Sequence, residues 1–483
     1  MNNIIKKGYE KYNGMTIVAK ATFWFLFCSI LQKGISIITI PIFTRLLTTE
    51  QYGQFSIYNS WLQIFAIFTT FRLDCSVFNK GMTQFKEDRD GYTSSMQGLT
   101  TILTTITLII YLIFRHEIND VTELSTFITL AMFVELYLTP AISFWTLRQR
   151  YDFKYQSIVL VTLTITLSNA GLGIISVIVS EDKGVARILS YILVQICFGL
   201  VLYIYNIMKG KKIFGGKYIK FGIIFNIPLI PHYFSTYILE QSDRIMIQKI
   251  CGIGEAGIYS VAYNAGMIMM IAISSVNNAL IPWLYRKLEE KKYKNIGNQC
   301  NSIMLMIALL IVTFIAFAPE IMRILASEKY YEAIYVIPPV AISVFFIFLF
   351  GIFVNIEFFY DANRFTMYLS FIGAGLNLIL NYICLQIFGY IAAGYTTLVC
   401  YVIFTFSHFI FANYLARKKV GFKIFDTKPI LFVSIGLIVL STILSMLYEH
   451  IIIRYSFIIV IILILFFKRN NFITIFKEIK KKS

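Results

Sequence analysis

Long apolar runs alternate with short charged segments from one end of this chain to the other. Residues 21–43, 303–318 and 451–467 are predominantly apolar over nearly their whole length. A bilayer hydrocarbon core about 30 Å thick needs about 20 such residues per helix, somewhat fewer where the ends snorkel. Reading the apolar runs between charged clusters predicts fourteen helices. They fall at 19–43, 53–71, 95–114, 122–145, 156–180, 185–207, 222–248, 256–284, 297–318, 331–354, 365–388, 390–415, 429–447 and 451–467. The expected fold is therefore an all-α polytopic membrane protein.

The charges test that count. With the N-terminus inside, the inner segments hold 32 Lys and Arg residues. They include Lys6, Lys7 and Lys11 before the first helix and the cluster that ends the chain. The outer segments hold seven: Arg45, Arg115, Lys183, Lys249, Arg323, Lys329 and Arg454. Cytoplasmic loops carry the cationic excess, and a wrong helix count would swap the side of every later loop. Fourteen spans with both termini cytoplasmic is the expected topology. Four cations are left inside helices: Lys20, Lys33, Arg187 and Arg244.

The chain also repeats itself. Residues 45–56 align with 249–260 at an offset of 204, matching Arg45 to Lys249, Gly53 to Gly257, Phe55 to Tyr259 and Ser56 to Ser260. A weaker echo at offset 212 pairs Phe153 with Phe365 and Asn169 with Asn381. Both members of the first pair join the first and second helices of a six-helix set. Six is even, so the halves share one orientation, a parallel repeat. The expected organisation is a six-helix lobe over 1–210, a second over 211–418, and two extra helices with a basic tail over 419–483.

Composition agrees. Apolar residues make up 58% and charged residues 14% of 483 positions, against about 45–50% and roughly 25% in soluble domains. The net charge of +17 is dispersed in loops between apolar runs, which does not suit nucleic acid. The start of the chain is polar and basic, and the apolar stretch after it is too long for a cleaved leader. The first helix is expected to remain as an anchor. Seven cysteines are scattered without a C-x-x-C pair and read as small apolar side chains rather than disulfides or metal ligands.

The segment from Ile227 through Pro228, Pro231, Glu240, Asp243 and Arg244 to Tyr263, with Pro41 to Gly53, resembles bacterial O-antigen and polysaccharide flippases. These belong to the polysaccharide transporter branch of the multidrug/oligosaccharidyl-lipid/polysaccharide exporter superfamily. The resemblance implies a transporter in the bacterial inner membrane and no enzyme. It would move an undecaprenyl-diphosphate-linked oligosaccharide, such as an O-antigen repeat unit for lipopolysaccharide, from the inner to the outer leaflet by alternating access. Membrane lipids and a polysaccharide polymerase are the implied partners. No cofactor is implied, although H+ or Na+ coupling fits the superfamily. The alternatives are a cation-coupled multidrug exporter of that superfamily and a membrane glycosyltransferase or polymerase. No loop longer than about 25 residues is expected, which counts against the last two.

Particular residues carry these readings. Lys33 lies near the middle of the first helix, where a cation costs about 2.5–3.5 kcal/mol on insertion scales. It could contact a diphosphate, which needs fixed positive charge when it leaves water, pair with an acid such as Glu135 in the fourth helix, or snorkel. Lys20 starts the same helix, about 220° round from Lys33, and can snorkel. Arg72 closes the second helix and could line a cytoplasmic mouth or pair with Asp74. Arg45 and Arg187 read as interfacial anchors. Asn59, Gln63, Asn277, Asn278 and Asn377 suit a sugar-lined cavity or interhelical hydrogen bonds; of these, Asn59 and Asn277 join Lys33, Lys20 and Arg72 as candidate substrate contacts.

Pro228 and Pro231 interrupt the seventh helix, each removing a backbone donor. Beyond them Glu240, Asp243 and Arg244 fall at i, i+3 and i+4, one face of a helix. With Glu135, Pro228 and Pro231 they are candidates for gating or ion coupling; Glu240 and Arg244 also suit an intrahelical pair, which would make the cluster self-neutralising at the lobe interface. No P-loop, nucleophile elbow or metal-ligand spacing is present, so neither an ATP-driven pump nor a catalytic centre is expected on this chain.

Overall fold

The computed structural model describes residues 14–480, and among them it is helical with no strand. Lys6, Lys7, Lys11 and the termini whose side was inferred from charge lie outside the described residues. The first compact unit runs to Gln241 and the second from Ser242.

Unit 1 opens with α1 (Ile17–Leu46) and α2 (Thr49–Thr70), joined by a two-residue connection. That connection is a capping box: Gln51 N donates to Thr48 Oγ1 at 3.2 Å and Thr48 N to Gln51 Oε1 at 3.1 Å, so two orphan amides of the helix start are satisfied. Then come α3 (Ser76–Gln84), α4 (Arg89–Ile113), the short α5 (Arg115–Thr122), α6 (Thr126–Tyr151), α7 (Tyr155–Val179), α8 (Lys183–Gly210) and α9 (Gly216–Asn226). The main packing pairs are α6 with α8, α7 with α8, and α1 with α7. Between α8 and α9 the linker is fastened to α4. Asp88 binds Lys212 and the Tyr218 hydroxyl, each at 2.6 Å, and Ser95 donates to the Lys212 carbonyl at 2.5 Å. These bonds carry unit 1 past the basic linker at 209–220.

The seventh expected span is α9, one 3-10 turn at 227–229, and α10 (Ile230–Ile250). Pro228 and Pro231 tighten this turn rather than severing the helix, because Asn226, Ile227 and Ile230 all keep right-handed helical dihedrals. The unit boundary falls inside α10, beyond both prolines.

Unit 2 continues with α11 (Ile253–Gly266), α12 (Met269–Glu289), α13 (Tyr293–Ala316), α14 (Ala318–Leu325), α15 (Ile337–Phe359), α16 (Asn363–Phe388), α17 (Ala392–Val420), α18 (Thr427–Met446) and α19 (Ile451–Lys480). Its principal contact is α15 against α17, the counterpart of α6 against α8. The most apolar stretch around α15 is 83% buried, against 6% for α1. A helix apolar on every side belongs at the centre of a bundle, and α15 takes that place. Helices α18 and α19 pack on α13, and Arg454 ties α19 to Glu320 through two contacts of 2.5 and 2.7 Å.

Eleven described helices are long and apolar enough to cross a membrane. Helices at the other three expected positions, Thr49–Thr70, α9 with α10, and α19, fall short by that measure, so the count of fourteen rests on the charge partition. The repeat is visible in the helix ends. Helices α1 and α10 end at Leu46 and Ile250, and α2 and α11 begin at Thr49 and Ile253, an offset of 204 in both cases. The weaker echo is out of step: α7 and α16 start at 155 and 363 and end at 179 and 388, offsets of 208 and 209. At 212, Asn169 is displaced from Asn381 by about one helical turn.

Candidate functional site

Three places gather polar chemistry inside helices that otherwise present apolar surfaces. The first is a cavity of about 410 Å³ within unit 1. Helix α1 supplies Ser29 and Gln32, α6 supplies Thr139, Ser143 and Arg150, α7 supplies Thr162, and α8 supplies Gln195; Asp74 closes one side. A second cavity of about 200 Å³ shares Asp74, Thr139 and Ser143 and adds Gln63, Arg72, Glu135 and Tyr191. Arg72 is aimed by its backbone. Phe71 and Arg72 end α2 at φ of 47° and 52°, an uncommon region for residues with a Cβ. The guanidinium then lies 3.7 Å from Asp74 and 5.3 Å from the Tyr237 ring centroid.

Glu135 is 1% exposed and accepts a 2.5 Å hydrogen bond from Tyr58. Lys33 is exposed, lines neither cavity, and forms no hydrogen bond or ion pair with a described residue. The anticipated Lys33–Glu135 pair is therefore absent. A buried carboxylate needs a donor at contact distance, and Tyr58 provides it from the neighbouring helix. Lys20 lies in the first turns of α1, outside both cavities. Asn59 donates to the Phe55 carbonyl of its own helix at 2.9 Å. Asn277 is half-buried on α12 and makes no hydrogen bond among the described residues.

The second place is in unit 2. Asp243 is 1% exposed, and its carboxylate accepts from Tyr259 at 2.8 Å, Thr397 at 2.8 Å and Asn381 at 2.7 Å. Around these, Asn377 accepts from Ser242 at 3.1 Å and from Asn381 at 3.2 Å, and Thr396 donates to Asn381. The result is one carboxylate, two amides and four hydroxyls from α10, α11, α16 and α17. Oxygen atoms in this number, with one negative charge, are the kind of ligand set a hard cation would use. Glu240, Asp243 and Arg244 lie at i, i+3 and i+4 of the continuous α10. Asp243 is buried, Arg244 lies 4.6 Å from the Tyr263 ring centroid, and Glu240 is exposed. Sequence reasoning noted Asn377 and Asn381 without joining them to Asp243. Their i, i+4 spacing was the available signal, and Thr396 and Thr397 carried none.

The third place is the corresponding part of unit 1. At the offset of 204 Thr39 stands opposite Asp243 and Phe55 opposite Tyr259; α8 and α17 start 209 apart, at Lys183 and Ala392, which sets Arg187 opposite Thr396. Arg187 is no interfacial anchor. It is 9% exposed, with its guanidinium 4.2 Å from the ring centroids of both Phe43 and Phe55. Such cation–π contacts offset part of the desolvation of a buried cation. Gly173 makes the room, since a Cβ there would lie 2.6 Å from Arg187 Nη1 and 3.1 Å from the Phe43 ring. Unit 1 therefore holds a built-in cation at the position of Thr396, and Thr39 at the position of Asp243. Gly173→Val is expected to cost about 1–3 kcal/mol by overpacking. It would be read as a lower thermal midpoint of the purified protein, and an unchanged midpoint would show that the Arg187 pocket can give way.

The chain matches the family described as polysaccharide biosynthesis proteins over residues 18–288, and the MatE family over residues 228–383. A Haemophilus influenzae protein, Lsg locus putative protein 1, is 25% identical over 348 residues, covering 69% of this chain and 82% of the relative. An uncharacterized membrane protein of the same organism is 23% identical over 268 residues, covering 54% and 64%. Among solved structures, a lipid II flippase, MurJ, in an inward closed conformation has a TM-score of 0.65 at 15% identity, covering 94% of this chain and 99% of its own. An inward-facing multidrug-resistance transporter of the MATE family has a TM-score of 0.60 at 12% identity, covering 80% and 96%. These two likenesses are of fold. With more than half its length matched, the chain is a multi-pass membrane protein belonging to the polysaccharide biosynthesis protein family.

Proposed function

We propose that this protein is a flippase that moves undecaprenyl-diphosphate-linked oligosaccharide repeat units across the bacterial inner membrane. The observation that carries the reading is the lining of the 410 Å³ cavity in unit 1. Sugars expose hydroxyls that must exchange water for other hydrogen-bond partners. Ser29, Gln32, Thr139, Ser143, Thr162 and Gln195 are such partners, and Arg150 and Arg72 add the positive charge a diphosphate requires. Membership of the polysaccharide biosynthesis family points the same way. The Asp243 cluster fits coupling to a Na+ or H+ gradient, with the chain acting as a transporter rather than an enzyme. Both termini are then cytoplasmic, and a polysaccharide polymerase would receive the product on the outer leaflet.

The multidrug exporter is the second reading, favoured by the MatE match over 228–383. One experiment separates the two. The full chain in proteoliposomes is supplied with undecaprenyl-diphosphate-linked oligosaccharide on one leaflet, and an impermeant glycosidase reports arrival on the other. Protein-dependent, Arg150-dependent appearance is expected, with Arg150→Ala reducing it by about 10–100-fold for one lost charge-assisted contact of about 1.5–3 kcal/mol. Vesicles that expel cationic dyes but do not move the lipid-linked sugar would overturn the flippase reading.

A further inference from the structure

Glu357 and His408 are separated by 51 residues and by one helix hairpin, and nothing in their spacing joins them. The packing of α15 on α17 does. Glu357 is 0% and His408 1% exposed, and Glu357 Oε1 lies 2.7 Å from His408 Nδ1. The other carboxylate oxygen accepts the Thr366 hydroxyl at 3.0 Å. Phe350 and Phe365 stand edge-on to the imidazole, with ring centroids at 4.9 and 5.4 Å. We infer that this glutamate–histidine pair is a proton-binding site in unit 2, separate from the Asp243 cluster.

The argument is one of charge. An ionisable pair inside a membrane bundle is expensive to keep, and such residues mark ion and proton pathways. Apolar residues of similar volume would pack at least as well. With one proton beyond imidazole's ordinary N–H the pair is neutral, either as carboxylate with imidazolium or as carboxylic acid with imidazole. Without that proton it carries one buried negative charge. A fixed cation beside it would neutralise that charge permanently and leave the proton no role. The charged and titratable groups towards these ends of the packed elements include Tyr285, Arg286 and Lys287 on α12, Tyr293 and Cys300 on α13, Tyr360 and Asp361 after α15, Arg364 on α16, Tyr401, Tyr414 and Arg417 on α17, Lys423 and Asp426 before α18, and Lys428 in its first turn. Among the described residues none of them hydrogen-bonds or ion-pairs with Glu357 or His408, whose only side-chain partners are each other and Thr366. The proton is therefore the species left to neutralise the site, and it belongs to the pair rather than to either residue.

Infrared difference spectroscopy of the full chain in phosphatidylethanolamine–phosphatidylglycerol vesicles, titrated across about pH 5 to 8 where imidazoles change charge, tests this. The wild type should show carboxyl and imidazole bands changing together with one midpoint. The carboxyl and imidazole component lost in Glu357→Gln should be the same as that lost in His408→Gln, because His116, His232, His450 and the other carboxyls contribute alike to every spectrum. Thr366→Val, which keeps both ionisable groups, should retain that component with a displaced midpoint and so controls for folding. Asp243→Asn should leave the signal in place. Wild-type spectra that either single replacement leaves unchanged, or that lose only a carboxyl component in Glu357→Gln and only an imidazole component in His408→Gln, would overturn the site.

Discussion

Sodium should stabilise the wild-type protein against heat, and Asp243→Ala should abolish the effect. A ligand that binds only the folded state contributes about 2.7 kcal/mol at 100 times its dissociation constant, a shift readily seen when sodium chloride is exchanged for choline chloride. Asp243 supplies the formal charge of the cluster, and Tyr259, Thr397 and Asn381 all point donors at its carboxylate. Bound sodium would draw on the oxygens of these same groups, with the hydroxyl protons and the Asn381 amide turned away. Truncating the aspartate also strands those donors, at about 1–3 kcal/mol for each buried group left unsatisfied. Asp243→Asn is therefore the cleaner variant, because it retains the shape and removes the charge. Asn381→Ala leaves the aspartate in place and should weaken sodium binding by about 10–100-fold, the usual cost of losing a supporting partner. Sodium-gradient-driven transport should fall in the same order. If Asp243→Asn is stabilised by sodium as strongly as the wild type, the cluster is a structural network and coupling lies elsewhere.

If Lys33, which lines neither cavity in this structure, meets the diphosphate during transport, Lys33→Glu should abolish polysaccharide export and Lys33→Ala should reduce it by about 10–100-fold, the cost of one charge-assisted contact. Lys33→Arg should keep most of it. Three explanations competed for a cation in the middle of the first helix: a diphosphate contact, an ion pair with a neighbouring acid, and snorkelling. The structure removes the ion pair with Glu135, whose carboxylate is engaged by Tyr58. Lys33 remains exposed on α1, so its loss leaves no buried acid unpaired, and protein abundance in the membrane should be unchanged. Complementation of a flippase-null strain, with surface polysaccharide and membrane protein measured together, checks both statements. Normal export by Lys33→Ala at wild-type abundance would remove Lys33 from the transport path.

Much of the architecture was legible in the one-dimensional pattern. Apolar runs near bilayer length and their charge partition are local properties, since each helix must satisfy its own backbone in hydrocarbon. The offset of 204 between Arg45–Ser56 and Lys249–Ser260 proved to be the offset of the helix ends themselves. Cations and acids stranded inside helices were also visible, because their cost in a bilayer does not depend on their neighbours.

What they are stranded against was not visible. Glu135 could be assigned to Lys33 on charge alone, yet Tyr58 from another helix holds it. Arg187 looked like an anchor because it lies five residues into its helix. Only the approach of α1 and α2 places Phe43 and Phe55 on its two faces. The Asp243 cluster draws on four helices spread over 155 residues, and Glu357 meets His408 only where α15 lies on α17. Helix formation follows from what each segment buries along its own length. A polar site depends on side chains that converge from different helices, so their identities are in the sequence while their distances belong to the packing.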